Sequence, residues 1–233
     1  MKKRDIIYIL RNDIEPQELR YSLRSLKNFP HGDVWFVGGE PAYLRADRQM
    51  YVAQKGATPW ERSTYTIREI CSSDETPEEF WLFNDDFFVM KPQKELGPKY
   101  NGDLWRHIAH IEQRHGGKIS GYTRQLRRTA EMLEEAGFQT RNYAMHIPML
   151  INKEKALEAL DRFPFTPMFR SIYGNMHDIG GENMADVKIA TITERPSEDA
   201  EFLSTSDNSW LVGEIGRFIR SKFPEPCEYE TDK

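Results

Sequence analysis

The chain has 233 residues, 39% hydrophobic and 30% charged, a composition that suits a globular protein and excludes a disordered or fibrous one. No apolar run nears the roughly 20 residues of a membrane span, the basic start lacks the apolar stretch of a secretory leader, and Cys71 and Cys227 supply neither a disulfide framework nor metal-ligand spacing. With 32 basic residues against 37 acidic the net charge is −5, which disfavours a general polyanion binder and leaves a cytoplasmic, single-domain protein as the expectation.

Residues 4–10, Arg-Asp-Ile-Ile-Tyr-Ile-Leu, read as a strand buried on both faces. Residues 13–29 follow as a helix, with Pro16 near the first turn and Leu19, Leu23 and Leu26 at helical spacing. Residues 33–37 form a second strand closed by Gly38 and Gly39, which completes the pattern of a parallel crossover unit. Thr58-Pro59-Trp60-Glu61 is a capping box with proline at the first helical position, predicting a helix to about Cys71. Residues 80–83 are a third apolar strand, resumed at 87–90 after Asn84-Asp85-Asp86. The stretch 103–136 is mostly helical, interrupted at Gly116-Gly117, with Tyr122, Leu126, Ala130 and Leu133 on one face. Beyond it, 143–151 reads as strand, 153–162 as helix and 187–192 as strand. A last helix from Asp207 packs Leu211, Ile215, Phe218 and Ile219 inward and ends before Pro224. The expected fold class is α/β: a mainly parallel sheet of about five or more strands through residues 4–91, flanked by helices, with a helical insertion at 101–140.

The segment most able to carry chemistry is Phe80-Trp81-Leu82-Phe83-Asn84-Asp85-Asp86-Phe87-Phe88. Adjacent carboxylates inside an aromatic run at a strand end are costly unless paired or bound to a cation. Such a pair suits a hard divalent metal, Mg2+ or Mn2+, that takes oxygen ligands and bridges substrate phosphates. The carboxyl end of the sheet is also where α/β folds bind nucleotides. A plain β-turn explains Asn84 and Asp85 as well; the aromatic frame and the preceding crossover unit favour the metal. Arg11, Asn12 and Arg20 sit where a donor at the sheet edge comes within reach, and arginine grips a diphosphate with paired hydrogen bonds, although solvent exposure alone accounts for Arg20.

In the segment 105–128, Arg106, Arg114, Lys118, Arg124, Arg127 and Arg128 stand against Glu112 alone. That is either a solvated helix face or a surface for an anionic acceptor. His107 and His110 lack a third metal ligand. By residue type a lone histidine such as His146 is more often structural than catalytic, and Arg170 alone suggests an interface ion pair. Asp207, after Ser206, serves either as a helix cap or as a metal or substrate contact.

Asn84-Asp85-Asp86-Phe87-Phe88 is similar to the acidic block of GT-A-type nucleotide-sugar transferases, and more closely resembles that of the Stealth family of hexose-1-phosphate transferases. Residues 5–10 and Glu18-Leu19-Arg20-Tyr21-Ser22-Leu23-Arg24-Ser25 resemble earlier blocks of that family. His146-Ile147-Pro148 with 153–163, Phe169-Arg170-Ser171, and 204–207 with 223–230 resemble later ones, in the family's order. One departure is Ile9-Leu10-Arg11-Asn12-Asp13, where the family carries a Thr-Trp-Val-Asp-like stretch.

The resemblance implies a GT-A-like (Rossmann-like) core and a metal-dependent transferase moving sugar-1-phosphate from a nucleotide sugar, UDP-linked, to an acceptor hydroxyl. It implies His146 as the base, Asp85, Asp86 and Asp207 as metal ligands, Asp86 also as a catalytic residue, and Arg170 as a phosphate clamp. Arg11, Asn12, Arg20, Ser22 and Asn84 are then donor contacts, and Arg124, Arg127 and Arg128 face a hydroxyl-bearing, anionic acceptor. Two rival readings stand beside it. One is a GT-A-type glycosyltransferase that moves the sugar itself and releases a nucleoside diphosphate; the other is a protein that binds glycan or nucleotide without turnover. One catalytic domain over 1–233 is expected, with 1–100 binding the nucleotide sugar, 101–140 inserted, and 141–233 carrying acceptor and catalytic residues.

Overall fold

The first strand sets the frame. β1 (Asp5–Leu10) places Ile6, Tyr8 and Leu10 in one core and Ile7 in the other, so both faces are covered and the run is apolar throughout. The computed structural model describes residues 3–45, 48–164 and 168–231. β2 (Val34–Gly38) and β3 (Arg48–Met50) extend the sheet in parallel on one side of β1, and β4 (Glu79–Phe83) pairs with it in parallel on the other. β5 (Phe87–Val89) and β6 (Lys99–Tyr100) leave this sheet, whose far edge is closed by β7 (Met149–Asn152), antiparallel to β4. The order is β3-β2-β1-β4-β7.

The expected, mainly parallel α/β sheet is therefore present, but only four of its five strands come from residues 4–91. The chain turns at Asn84–Asp86, and β5 joins a second, three-stranded sheet instead of extending the first. Its partners come from late in the chain. In that sheet β9 (Lys188–Ile189) lies parallel to β10 (Phe202–Thr205), which is antiparallel to β5; β8 (Glu182–Asn183) pairs with β6 in a separate two-stranded sheet. The strands expected over 143–151 and 187–192 are thus shorter than their apolar runs.

α1 (Gln17–Ser25) lays Leu19 and Leu23 on one sheet face and passes into a single 3-10 turn at Leu26–Asn28. It starts later than the 13–29 expectation because Pro16 is extended at the cap. Burying each of these leucines stabilises by roughly 1.5–3 kcal/mol. α2 (Pro59–Ser72) begins at the expected capping box: Glu61 N–H donates to Thr58 Oγ1 at 3.2 Å, and Thr58 N–H to the Glu61 carboxylate at 3.1 Å. α3 (Leu104–Arg114) and α4 (Gly121–Glu135) form the helical insertion. Between them Gly116 and Gly117 hold φ of 60° and 79°, the left-handed region that breaks the helix.

α5 (Lys153–Arg162) and α6 (Phe169–Met176) join α2 on the second sheet face. α6 has no clear sequence signal, since Gly174 reads as a breaker. A β-carbon there would meet Tyr143 Cδ2 at 2.5 Å, so the glycine is needed for packing. The last helix divides at Gly213 into α7 (Asp207–Val212) and α8 (Glu214–Lys222). The division buries Ile215 and Ile219 but leaves Leu211 68% exposed, a correction to the inward face expected from spacing. No helix among the described residues is long and apolar enough to cross a membrane.

Candidate active site

Strand order reverses between β1 and β4, so the loops leaving their carboxyl ends diverge and open a crevice, the usual ligand position in such sheets. Asn84, Asp85 and Asp86 leave β4 there, and Arg11, Asn12 and Asp13 leave β1. The register of β9 with β10 sets Lys188 beside Ser204, and both reach one oxygen. Ser204 Oγ donates to Asp86 Oδ2 at 2.8 Å and Lys188 Nζ at 3.2 Å. Glu18, on α1, accepts from Thr205 Oγ1 at 2.6 Å.

Burial, with Asp86 and Glu18 adding like charge, pushes the Asp85 carboxyl up to about 7. Burial also lifts Glu18 to about 7, aided by Asp86 and Asp207 and opposed by the Thr205 hydrogen bond. Asp85 receives no hydrogen bond from another residue among the described residues. Among those residues no three Asp, Glu, His or Cys side chains stand close enough to hold a metal by themselves.

His146 reaches the same crevice from the segment before β7. Its backbone N–H donates to Asp186 Oδ1 at 2.9 Å, and its Nδ1 lies 2.6 Å from Asp186 Oδ2. A carboxylate only accepts, so Nδ1 carries the proton and Nε2 is left as the acceptor in the neutral ring. Val187 N–H holds Asp186 Oδ1 as well, at 2.9 Å. Burial works to raise Asp186, but the hydrogen bond and charge of His146 outweigh it and hold the carboxyl below its ordinary range.

Phe87 links this dyad to the acidic pair: its ring meets His146 edge-on at 6.3 Å between centroids, and Arg170 lies 5.1 Å over the same ring. Arg170 donates Nη1 to the carbonyls of Met145 at 3.2 Å and Ile147 at 2.5 Å, and Nη2 to that of Leu82 at 3.2 Å. It braces the His146 segment against β4. Burial lowers it to about 10, offset in part by Asp86 and Asp186.

The remaining residues singled out from sequence scatter. Arg11 is exposed and pairs with Asp13 through two 3.0 Å bonds, within electrostatic range of Asp85 and Asp207. Asn12 spends its amide on the Val52 carbonyl at 2.9 Å, and Asn84 is exposed at the crevice. Ser22 is fully buried, between the Tyr8 hydroxyl and the Phe87 carbonyl, where it holds β5 to α1 rather than meeting a ligand. Arg20, half-buried, donates to Glu230 at 3.1 Å and lies over Tyr43, so its charge is already paired. Ser206, not Asp207, caps α7, which leaves the Asp207 carboxylate exposed at the first turn. Arg124 and Arg128 are exposed on α4; Arg127 ties α4 to α3 through Glu112 at 2.7 Å.

Glu18, Asp186 and Lys188 carry no sequence signal that marks them as site residues. Glu18 is legible only as a first-turn acid of α1, and the other two reach the site through pairing late in the chain.

No protein-family model matches the chain, and no curated protein matches it significantly. Among solved structures it is similar to the galactosyltransferase LgtC bound to donor and acceptor sugar analogues, at 10% identity and a TM-score of 0.46 over 96% of this chain and 98% of that one. It is also similar to mouse xyloside xylosyltransferase 1 in its apo form, at 10% identity and a TM-score of 0.43 over 90% and 99%. At these values the likeness decides nothing about chemistry, which rests on the chain's own side chains.

Proposed function

We propose that the chain is a GT-A-like transferase that takes a nucleotide sugar, UDP-linked, as donor and moves sugar-1-phosphate onto an acceptor hydroxyl. The observation that carries this reading is the convergence on one crevice of an acidic pair and a histidine whose Nδ1 is locked by Asp186. The chain works as one catalytic unit, the first hundred residues binding the donor and residues 141–233 supplying His146, Asp186 and Arg170. His146 Nε2 takes the acceptor proton as the acceptor oxygen bonds to the β-phosphorus. The bond from that phosphorus to the bridging oxygen breaks, and the nucleoside monophosphate leaves with it.

Mg2+ binds proteins through one or two carboxylates, completing its shell with substrate phosphates and water. Asp85, half-buried and without a hydrogen bond from another residue, fits that demand beside Asp86. Asp85 and Asp86 would hold Mg2+ or Mn2+, with Asp207 near by; a bound cation neutralises charge on the donor diphosphate. Lys188 supplies part of that positive charge from the protein side. Arg11 engages the donor by exchanging Asp13 for a phosphate. Arg170 fixes the His146 segment and adds positive potential behind the transferred phosphate.

The test is product identity. The full chain incubated with a UDP-sugar and acceptor is expected to release nucleoside monophosphate, read by 31P NMR. Release of nucleoside diphosphate assigns transfer of the sugar itself. Binding without turnover, indifferent to added Mg2+ or Mn2+, assigns a non-catalytic binder.

A further inference from the structure

Beside the acidic pair lies a cavity of about 270 Å³ whose Trp60 and Tyr122 side the proposed chemistry leaves unused. Two helix starts form one side: Trp60 and Ser63 from α2, and Tyr122 from α4. The two starts lie side by side: a β-carbon on Gly121 would come within 4.0 Å of Trp60 Cη2. Asn84 and His146 form the side facing the crevice.

What these residues share is unspent hydrogen-bonding capacity. Among the described residues, the indole N–H of Trp60, the hydroxyls of Ser63 and Tyr122, the amide of Asn84 and Nε2 of His146 have no partner. Burial, then the charge of Asp186, raises Tyr122 to about 12, which keeps its hydroxyl a donor. Aromatic faces interleaved with separated donors and acceptors match one chemical class above others. A pyranose ring has apolar C–H faces that lie on aromatic rings and a rim of hydroxyls that both donate and accept. The volume is just under the roughly 300 Å³ at which ordinary small-molecule pockets begin, so it takes one ring and not a chain.

We infer that the cavity between Trp60, Tyr122 and His146 is a sugar-ring subsite. The inference rests on the transferase reading for its place in the reaction, but not for the binding itself. The ring belongs either to the acceptor, with a hydroxyl at His146 Nε2, or to the donor, whose phosphates lie toward Asp85 and Asp86. Both present the same chemistry to the cavity.

Ligand-observed NMR on the full chain separates the cases, with the methyl glycosides of glucose, galactose and N-acetylglucosamine, UDP and UDP-glucose as probes. Binding of a methyl glycoside alongside UDP assigns an acceptor ring. UDP-glucose binding more tightly than UDP, with no free glycoside bound, assigns the donor ring. In either case Trp60→Ala weakens the sugar-dependent part about tenfold and leaves UDP unchanged. Trp60 also packs in the insertion core, so Tyr122→Phe, which keeps the ring, serves as the second variant. It is expected to weaken the same part about three- to tenfold. The inference is overturned if glycosides or the sugar of UDP-glucose bind both variants as they bind the wild type, or if sugar adds nothing to binding. A chain that binds glycosides but no nucleotide loses the transferase reading and keeps the subsite.

Discussion

Two charge clusters sit at opposite sides of α1 and do different things. On one side Glu230, 2% exposed, accepts from Arg20 at 3.1 Å, from Arg24 at 2.7 and 2.8 Å, and from the Cys227 N–H at 3.1 Å. Arg24 also donates to the carbonyls of Phe223 and Pro224. Both oxygens of the Glu230 carboxylate and all three guanidinium nitrogens of Arg24 are spent there. On the other side Glu18, Asp85 and Asp86 crowd together, with Lys188 and Ser204 satisfying a single oxygen. The first cluster is saturated and holds structure. The second keeps carboxylates short of partners, and that is the condition for binding something else. Arginine beside a helix is therefore a poor guide to phosphate binding until its partners are known.

The largest expected break is on the unsaturated side. His146→Ala is expected to lower kcat about 10²- to 10⁴-fold, the span of general base catalysis, with donor affinity by calorimetry unchanged. A loss of donor affinity at constant kcat would instead make His146 a binding residue.

On the saturated side the effect is on folding. Glu230→Ala strands two arginines, and the loss is expected to be about 3–5 kcal/mol, read by denaturant unfolding, with kcat of the folded fraction retained. The two clusters also answer pH with opposite signs. Burial works to raise Glu230, but the hydrogen bonds from Arg24, Cys227 and Arg20 outweigh it and hold the carboxyl below its ordinary value. Its stabilisation is complete above the unfolded pKa of about 4.3 and is lost as pH falls through the folded value. Glu18 is raised to about 7, so its ionisation costs stability progressively as pH climbs from about 4.3 to about 7. Glu18→Gln is expected to melt above the wild type at about pH 8 and with it near pH 4, whereas the deficit of Glu230→Gln closes on acidification. Parallel shifts for both variants would remove the distinction between the clusters.

The smallest effect is on α4. Replacing Arg124, Arg127 and Arg128 with Gln is expected to raise the KM of an anionic acceptor a few-fold and spare donor hydrolysis. Salt should mimic the change in the wild type, because exposed charges are screened over about 8 Å. An acceptor KM insensitive to both would leave these arginines a solvated helix face.

Local signals carried much of this. The capping box at Thr58, the apolar runs of β1, β2 and β4, and Asn84-Asp85-Asp86 at a strand end are each written within a few residues. The crevice is legible for the same reason. What was not legible depends on distance along the chain. Lys188 and Ser204 meet Asp86 across 102 and 118 residues, one from the two-residue β9 and the other from β10, and no local pattern records that pairing. Arg20 reads as exposed because its spacing off the leucine face says nothing about a partner 210 residues away. β5 reads as a continuation of β4 because both are aromatic and apolar. Only the turn at 84–86 sends it to another sheet.

Glu230 also bridges to Leu44, while the Tyr229 carbonyl accepts from Arg45 N–H and Thr231 N–H donates to Tyr43. During synthesis this clasp waits until residue 230 has been made. A ribosome adding 5–20 residues per second takes roughly 10–40 s to travel from α1 to residue 230. Throughout that interval the first helix carries two arginines with no counter-charge. A chain not yet extended to residue 230 therefore lacks the carboxylate that ties α1 to residues 223–230. Pairing of residues 229–231 with residues 43–45 and α1 is what closes this side of the N-terminal half.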